Sequence, residues 1–527
     1  MRLIVKDYIS MFKEEQEMES LLEKILIMND YSNIVVPQKG VGQLGVDFSA
    51  QKNGEVYLFV LKQQDIDRTN WDVGINAVRP TLNEILDSYI PQRLSDCNKK
   101  INIVLCTNGN IKQNVKPNWD NYIKNNSKDN ISYDFWGIDE LVNLTELFLI
   151  NEYIFDEDIR TELRKSLYFF EEDFELKYFD NLLIKLIEKI DIKNRRRKIY
   201  KKSIIVYTII TKMCIAYSIK QNSKIAVNMS EKSLIRYWNF ISKNNLFEKD
   251  IEMEYLHILS GYYTDSCKKY IEEIKKVYKY KPSFPIYNSI EYRILIYEAI
   301  GIITNYTYYL YYYNGLIDEV EENINLLIML INNNVSFYYP LYDSNAIEIN
   351  ALVYLLKEVG NDQGSNIVWI LLNKIVSRIV KSKSYYPVEY EDYQKALDMF
   401  YEKEVEECKA TLLITNLIEW LYIYKKDEDI NEIMDVIYKK YPNITLNTLQ
   451  IIPDLEELYL EGNFHGSSIT YIIDYKNKKQ VNNIIKQLKK EYKLSKYKFY
   501  KYSAMLYLFI ASRNYRLPLP STIIYKD

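Results

Sequence analysis

Residues 46–62 read VDFSAQKNGEVYLFVLK. Two strand-like runs flank Asn53-Gly54, and an Asn-Gly pair between such runs is a strong hairpin signal, because both central residues of a type I′ turn need positive φ. A two-residue turn also fixes the register: Lys52 faces Glu55, Ser49 faces Leu58, Phe48 faces Phe59 and Asp47 faces Val60. Lys62 lies two residues beyond Val60, so it is expected on the same face, diagonal to Asp47. The stretch predicts a carboxylate and an ammonium side by side near the open end of a hairpin.

Just upstream, Gly40, Gly42 and Gly45 spell a formal GxGxxG. A dinucleotide fingerprint needs a helix after it, whose N-terminus holds the pyrophosphate. A strand follows here, so the glycines read as a loop turning tightly into that strand.

Further out, a helix fits residues 7 to 28, with Met11, Met18, Leu22, Ile25 and Leu26 at helical spacing. Strand-like runs are NIVV, VDFSA, EVYLFVLK, INIVLCT and ISYDFW, with helices expected over about 76 to 93 and 110 to 125 and another beginning at GIDELVNL. Strand signals then stop. Helical runs recur from about residue 156, with starts near 315, 364, 428 and 478 and no strict period. The expected architecture is an α/β domain over residues 1–155, then an all-α, solenoid-like array of tetratricopeptide-like helix pairs over 156–527. A joint is expected near 380–393, around SYYPVEYEDY.

Composition excludes several function classes. A net charge of −4 gives no general affinity for nucleic acid, so any such affinity must be local. Five scattered cysteines without a CxxC pair argue against a disulfide framework and a zinc site, and fit a reducing, cytoplasmic setting. No run of 18 apolar residues suggests a membrane span. His257 and His465 are the only histidines, and both read as structural, which leaves little room for His-based catalysis. The 51 tyrosines read as compositional bias rather than as stacking platforms.

The Asp47–Lys62 pair admits two readings. It is either a solvated salt bridge, or a hard oxygen ligand for Mg²⁺ beside a cation that stabilises charge on an attacked phosphodiester. The residues VVPQKGVGQLGVDFSAQKNGEVYLFVLKQ, with the helix before them and the strand–helix–strand order after, resemble the core of the restriction-endonuclease-like PD-(D/E)XK superfamily, especially its Mrr-like branch. The resemblance covers about residues 10 to 150. It implies a nuclease cleaving DNA or RNA with Mg²⁺ or Mn²⁺, with Asp47 as the metal-binding Asp and Lys62 as the catalytic Lys. The chain departs from the pattern at Val60, which stands where the second metal-binding residue belongs. In one account the missing ligand comes from Glu19 or Glu15, spaced i, i+4 on the first helix, or from the carbonyl of Gln64 on the Lys62 face. In the other, the domain is catalytically inactive and only binds nucleic acid or a protein. The fusion to a helical array resembles prokaryotic nucleic-acid-degrading effectors, with defence against phage and a co-encoded or phage-derived trigger as the implied setting.

Three further stretches carry charge. QQDIDRTNWDVGINAVRP, after Lys62, either shapes a substrate groove or caps its own helix. Residues 193–202, KNRRRKIYKK, hold seven basic side chains, with Arg195, Arg196, Arg197, Lys198, Lys201 and Lys202 as candidate phosphate contacts. Residues 476–501 hold ten lysines interleaved with aromatics. Both basic stretches also fit solvated helix faces.

Overall fold

Asn53 and Gly54 take φ of +52° and +82°. The hairpin between β2 (Phe48–Lys52) and β3 (Glu55–Lys62) then pairs Lys52 with Glu55, Ser49 with Leu58 and Phe48 with Phe59, as the turn requires. This computed structural model describes the chain apart from residues 1–4, 7–8, 11, 13–14, 37–43, 74–76, 96–98, 151–156, 173–174, 195–197, 248, 280–289, 382–385, 388–390, 402–408, 427, 429, 450–469, 495–504, 518 and 520–527.

The hairpin sits in a five-stranded mixed sheet of order β1-β2-β3-β4-β5, with β1 (Ser32–Val35), β4 (Ile101–Thr107) and β5 (Ile131–Trp136). β1, β2 and β3 run antiparallel, while β3, β4 and β5 run parallel. Parallel neighbours need crossovers. The first contains α2 (Arg68–Asp72) and α3 (Val78–Glu84), a π-helical turn over Ile85–Tyr89 and α4 (Ile90–Arg93). The second is α5 (Lys116–Asn126). The one helix expected over 76 to 93 is broken by the π turn. Pro91 has no N–H to continue the α ladder, and Ile90 N–H reaches back to the Ile85 carbonyl instead.

Alternation sorts β3 into two faces. Val56, Leu58 and Val60 pack with Ile101, Ile103 and Leu105 of β4 and with Val78, Leu82, Ile85, Trp119 and Tyr122 of the crossover helices. Phe59 turns the other way, into an aromatic group with Tyr31 and Trp136. The first helix, α1 (Glu15–Met28), packs on β3, β1 and α6 (Ile138–Ile150), burying Met18, Leu21, Leu22, Ile25 and Leu26.

The chain divides into two compact units, residues 1–221 and 222–527, rather than at 155. The helices α7 (Glu157–Tyr168), α8 (Lys177–Glu188) and α9 (Lys198–Ile219) belong with the sheet, because α9 packs on α1 as well as on its two predecessors. α9 is long and apolar enough to cross a membrane by composition, but 72% of its apolar window is buried inside the protein, as in a core helix.

The second unit is mostly helical. Its principal helices are α10 (Ser223–Lys243), α11 (Asp250–Lys279), α12 (Ile290–Tyr309), α13 (Ile317–Asn333), α14 (Ala346–Glu358), α15 (Gln363–Lys381), α16 (Tyr393–Phe400), α17 (Leu412–Ile423), α18 (Ile430–Lys440), α19 (Lys478–Leu494) and α20 (Met505–Tyr515). Those at 317, 363, 430 and 478 start within two residues of expectation. Two expectations need correction. Strands do recur: β6 (Ala410–Thr411), β7 (Thr445–Leu449) and β8 (Thr470–Ile472) form a small sheet from runs too short to show a period. The array is also not a simple stack of neighbours. α20 returns to pack on α10, α12 and α14, with Tyr507 stacked on Trp238 at 4.1 Å. Residues 505–512 are all buried there, and α10 is buried on nearly every side. Many tyrosines serve this core: Tyr237, Tyr263, Tyr306 and Tyr308 are among its largest fully buried side chains.

Candidate functional site

The candidate residues lie at the edge where β3 and β4 end. β2 is antiparallel to β3, so its start meets the C-terminal end of β3. Ligands of parallel sheets commonly bind outside such carboxyl ends. Here the loops are tied together by polar contacts. Asn108 Oδ1 accepts from Gln64 N–H (2.7 Å), Thr107 Oγ1 donates to the Gln64 carbonyl (2.6 Å), and Asp65 Oδ1 accepts from Asn110 N–H (2.9 Å). Asn108 also donates from Nδ2 to the carbonyls of Ile9 and Phe12, holding the start of the chain against this end of the sheet. A Cβ on Gly109 would lie 2.4 Å from the Gln64 carbonyl carbon, so only glycine permits this approach of the two loops.

Asp47 occupies this edge, largely buried. Its backbone N–H donates to the Phe59 carbonyl at 2.9 Å, and the strand ladder ends one residue away, at Phe48↔Phe59. The expected Asp47–Val60 pairing is therefore not part of the observed ladder. The Asp47 carboxylate accepts from Leu61 N–H through Oδ2 at 2.6 Å, one residue before Lys62. The Lys62 ammonium donates to Thr81 Oγ1 at 3.3 Å, and Thr81 in turn donates to the Ala77 carbonyl at 2.8 Å. Thr81 carries no periodic or motif signal that would have singled it out in the sequence.

Gly45 gives the glycine loop its function. It takes φ of +81°, and a Cβ there would sit 2.7 Å from the Thr81 carbonyl. Bare backbone at Gly45 lets the loop lie against α3, so the segment leading to Asp47 and the helix holding Lys62 meet at Thr81. Gly40 and Gly42 lie outside the described residues.

The other candidates fare differently. Gln64 does not extend the face of Lys62: β3 stops at Lys62, and Gln64 takes a left-handed φ of +62° with an exposed side chain. Its backbone carbonyl is taken by Thr107. Glu19 lies half-buried on α1, and the side chain of Glu15, the first residue of that helix, lies outside the described residues. Val60 is fully buried among Val46, Val78 and Leu82, in the apolar layer under the crossover helices. Among the described residues no group of three His, Cys, Asp or Glu side chains is arranged to hold a metal ion.

Nearby, the thiol of Cys106 is pushed well above its ordinary value by burial, and further by Asp134 and Asp47. It is therefore a poor nucleophile at neutral pH.

The described residues of the loop after Lys62 cap and brace their own helices. Asp67 caps α2 by accepting from Thr69 and Asn70 N–H at 3.0 Å each, Asp72 pairs with Arg79 at 3.1 Å, and Trp71 is buried edge-on to Trp119 and Tyr122. In the basic stretch, Arg195, Arg196 and Arg197 lie outside the described residues, as does the side chain of Lys198, the first residue of α9. Lys201 is half-buried. Lys202 caps a helix: its ammonium donates to the Met28 carbonyl at 3.0 Å, at the end of α1, and pairs with Asp30 at 3.3 Å. Of the two histidines, His257 is exposed on α11 and His465 lies outside the described residues. On the third stretch, Lys478, Lys479, Lys486 and Lys490 are exposed, whereas Lys476 pairs with Asp435. Compared with protein-family models, curated proteins and solved structures, the chain matches none.

Proposed function

We propose that the sheet unit is a PD-(D/E)XK-type phosphodiesterase domain acting on DNA or RNA, and that the helical unit recruits or senses its target. The observation that carries this reading is the bond from Leu61 N–H to the Asp47 carboxylate, which sets an acid within one residue of Lys62 at the end of a strand. Further support comes from the element order: a helix, the antiparallel strands, a helical crossover, a parallel strand, a helix and a second parallel strand. In this reading the Lys62 ammonium, steadied by Thr81, stabilises negative charge developing on an attacked phosphate. Asp47 orients the strand end that carries Lys62.

The resemblance assigns Mg²⁺ or Mn²⁺ to Asp47. The described side chains do not fit a complete site for such an ion. Val60 is in the apolar core, one Asp47 oxygen already accepts from Leu61, and no third acidic partner is described beside them. The same burial of Val60 favours a second reading, a catalytically inactive nuclease fold that binds nucleic acid or a protein partner.

One experiment separates the two. Double-stranded DNA, single-stranded DNA and RNA are incubated with wild type, Asp47→Ala and Lys62→Ala, in Mg²⁺, in Mn²⁺ and in EDTA. The nuclease reading expects cleavage that is lost in both variants. Binding without cleavage under every condition, with an affinity that falls as salt rises, establishes the second reading. Cleavage that persists in both variants removes the hairpin from either account.

A further inference from the structure

In the helical unit, Arg293 has no carboxylate partner among the described residues. Arg293 lies in the first turn of α12 and Arg378 in the last turn of α15. The 3-10 turn Val335–Tyr338 packs against both helices. Tyr297 of α12 anchors that turn: its hydroxyl donates to the Phe337 carbonyl at 2.6 Å and its ring stacks on Phe337 at 5.5 Å.

Two polar groups here are buried without a hydrogen-bond partner: Nε of Arg293 and the hydroxyl of Tyr386, a residue only 1% exposed. Tyr386 belongs to the joint singled out in the sequence at 380–393. Burial holds the Arg293 guanidinium below its ordinary value, and Arg378 lowers it further against the opposing effects of Tyr386, Tyr297 and Tyr339. Among the described residues neither arginine has a carboxylate partner. Glu348 and Glu391 are both taken by Arg516, and Glu291 accepts from Tyr393. A partly buried cation within electrostatic reach of a second cation is left uncompensated unless an anion joins them.

We propose that Arg293 and Arg378, with the Tyr386 hydroxyl, form a binding site for a phosphate-class oxyanion carried on a ligand of the helical unit. Guanidinium groups are planar forks that grip phosphate oxygens in pairs. Two of them are balanced by a phosphate group, which carries between one and two negative charges at neutral pH, better than by one carboxylate. Burial raises the Tyr386 phenol, with Arg293 and Arg378 opposing, so at neutral pH it remains an O–H donor for a third oxygen.

The test uses the full chain. Thermal unfolding and calorimetric titration are run with inorganic phosphate and with succinate, at ionic strength matched by sodium chloride, on wild type, Arg293→Met, Arg378→Met and Tyr386→Phe. The expected result is a saturable rise in melting temperature with phosphate. Kd should weaken at least tenfold in each arginine variant and several-fold in Tyr386→Phe. Arg293→Met without phosphate should melt no lower than wild type, since it removes a partly buried charge that lacks a carboxylate partner among the described residues. The proposal is overturned by a wild-type response to phosphate no larger than to sodium chloride, by a response retained in both arginine variants, or by a response to succinate alone. Melting of Arg293→Met well below wild type would also overturn it, by showing that the charge is already compensated. Arg378→Met tests the same ligand contact from the other helix if Arg293→Met does not fold.

Discussion

The two units bury polar groups in opposite ways. In the sheet unit they collect at one end and lean on backbone: Asp47 on Leu61 N–H, Asn108 on Gln64 N–H, Asp65 on Asn110 N–H. In the helical unit charged side chains meet inside the core: Glu231 with Arg513, Glu348 with Arg516, and Glu419 with Tyr475. The difference follows from backbone chemistry. A sheet leaves unpaired N–H and C=O groups where its strands end, and polar side chains gather to meet them. A helix satisfies its own interior backbone, so a polar side chain buried between helices finds another side chain or the open backbone of a turn or helix end, as Tyr297 does at Phe337.

The largest effect that would break this contrast is expected at Arg513. Glu231 is fully buried, and burial raises its pKa against the lowering effect of Arg513. Arg513→Met should cost about 3–5 kcal/mol by leaving that carboxylate uncompensated. A raised folded-state pKa means the folded state holds the proton more tightly than the unfolded one, so stability is lost as pH rises and regained as it falls. Denaturant unfolding should therefore show the defect largest at neutral pH and shrinking on acidification, and Glu231→Gln combined with Arg513→Met should recover most of the loss.

Next is Gly109, where the sheet unit depends on bare backbone. Gly109→Ala drives a methyl into the Gln64 peptide and should cost about 3 kcal/mol. Gly54→Ala is the matched control, with φ of +82° but nothing within 4 Å, and should cost about 1–2 kcal/mol. Equal losses in thermal melts would mean that close approach at Gly109 costs no more than left-handed backbone at Gly54.

Asp47→Ala should cost about 1.5–3 kcal/mol, the range for a hydrogen bond to a charged group. Asp47→Asn, which keeps an acceptor for Leu61 N–H, should lose less. If the two variants are equally stable in urea, the Leu61 bond does not support the fold.

Thr81→Val keeps the shape and removes the hydroxyl, at a cost of about 1 kcal/mol. The sharper readout is Lys62 itself. Its acylation rate, mapped by mass spectrometry, should rise in Thr81→Val and return in Thr81→Ser. An unchanged rate would remove Thr81 as the residue that positions Lys62.

The smallest effect is expected at Lys202. Lys202→Ala should lower stability by up to about 1 kcal/mol through loss of the α1 cap. It should leave the salt dependence of any nucleic-acid binding unchanged, whereas a phosphate contact would reduce that slope by about one. A reduced slope would return Lys202 to the interface.

Much of the sheet unit was legible because its signals are local. β3, β4 and β5 match the runs EVYLFVLK, INIVLCT and ISYDFW residue for residue, and Asn53-Gly54 sets the hairpin register through two backbone angles. The reading failed where the strand geometry itself ended. Alternation cannot be carried past Lys62 to Gln64, nor the ladder past Phe48 to Asp47, once φ turns positive or a side chain takes over a backbone bond. The contacts of Thr81 and Lys202 were missed for a related reason. A threonine in a first helical turn and a lysine on an amphipathic helix look alike whether or not something stands opposite them, and here Lys62 and the end of α1 do.

By itself, then, the sequence determined most of the strands and helices, the register of one hairpin, and the place of Asp47 beside the end of β3. Tertiary structure decided that Val60 faces the apolar layer, that Gly45 and Gly109 are points of contact, and that the helical array is closed by α20. Local conformation depends on angles that adjacent residues set. Partners hundreds of residues apart, such as Glu231 and Arg513, are chosen by the packing of the whole core, and no window of sequence contains both.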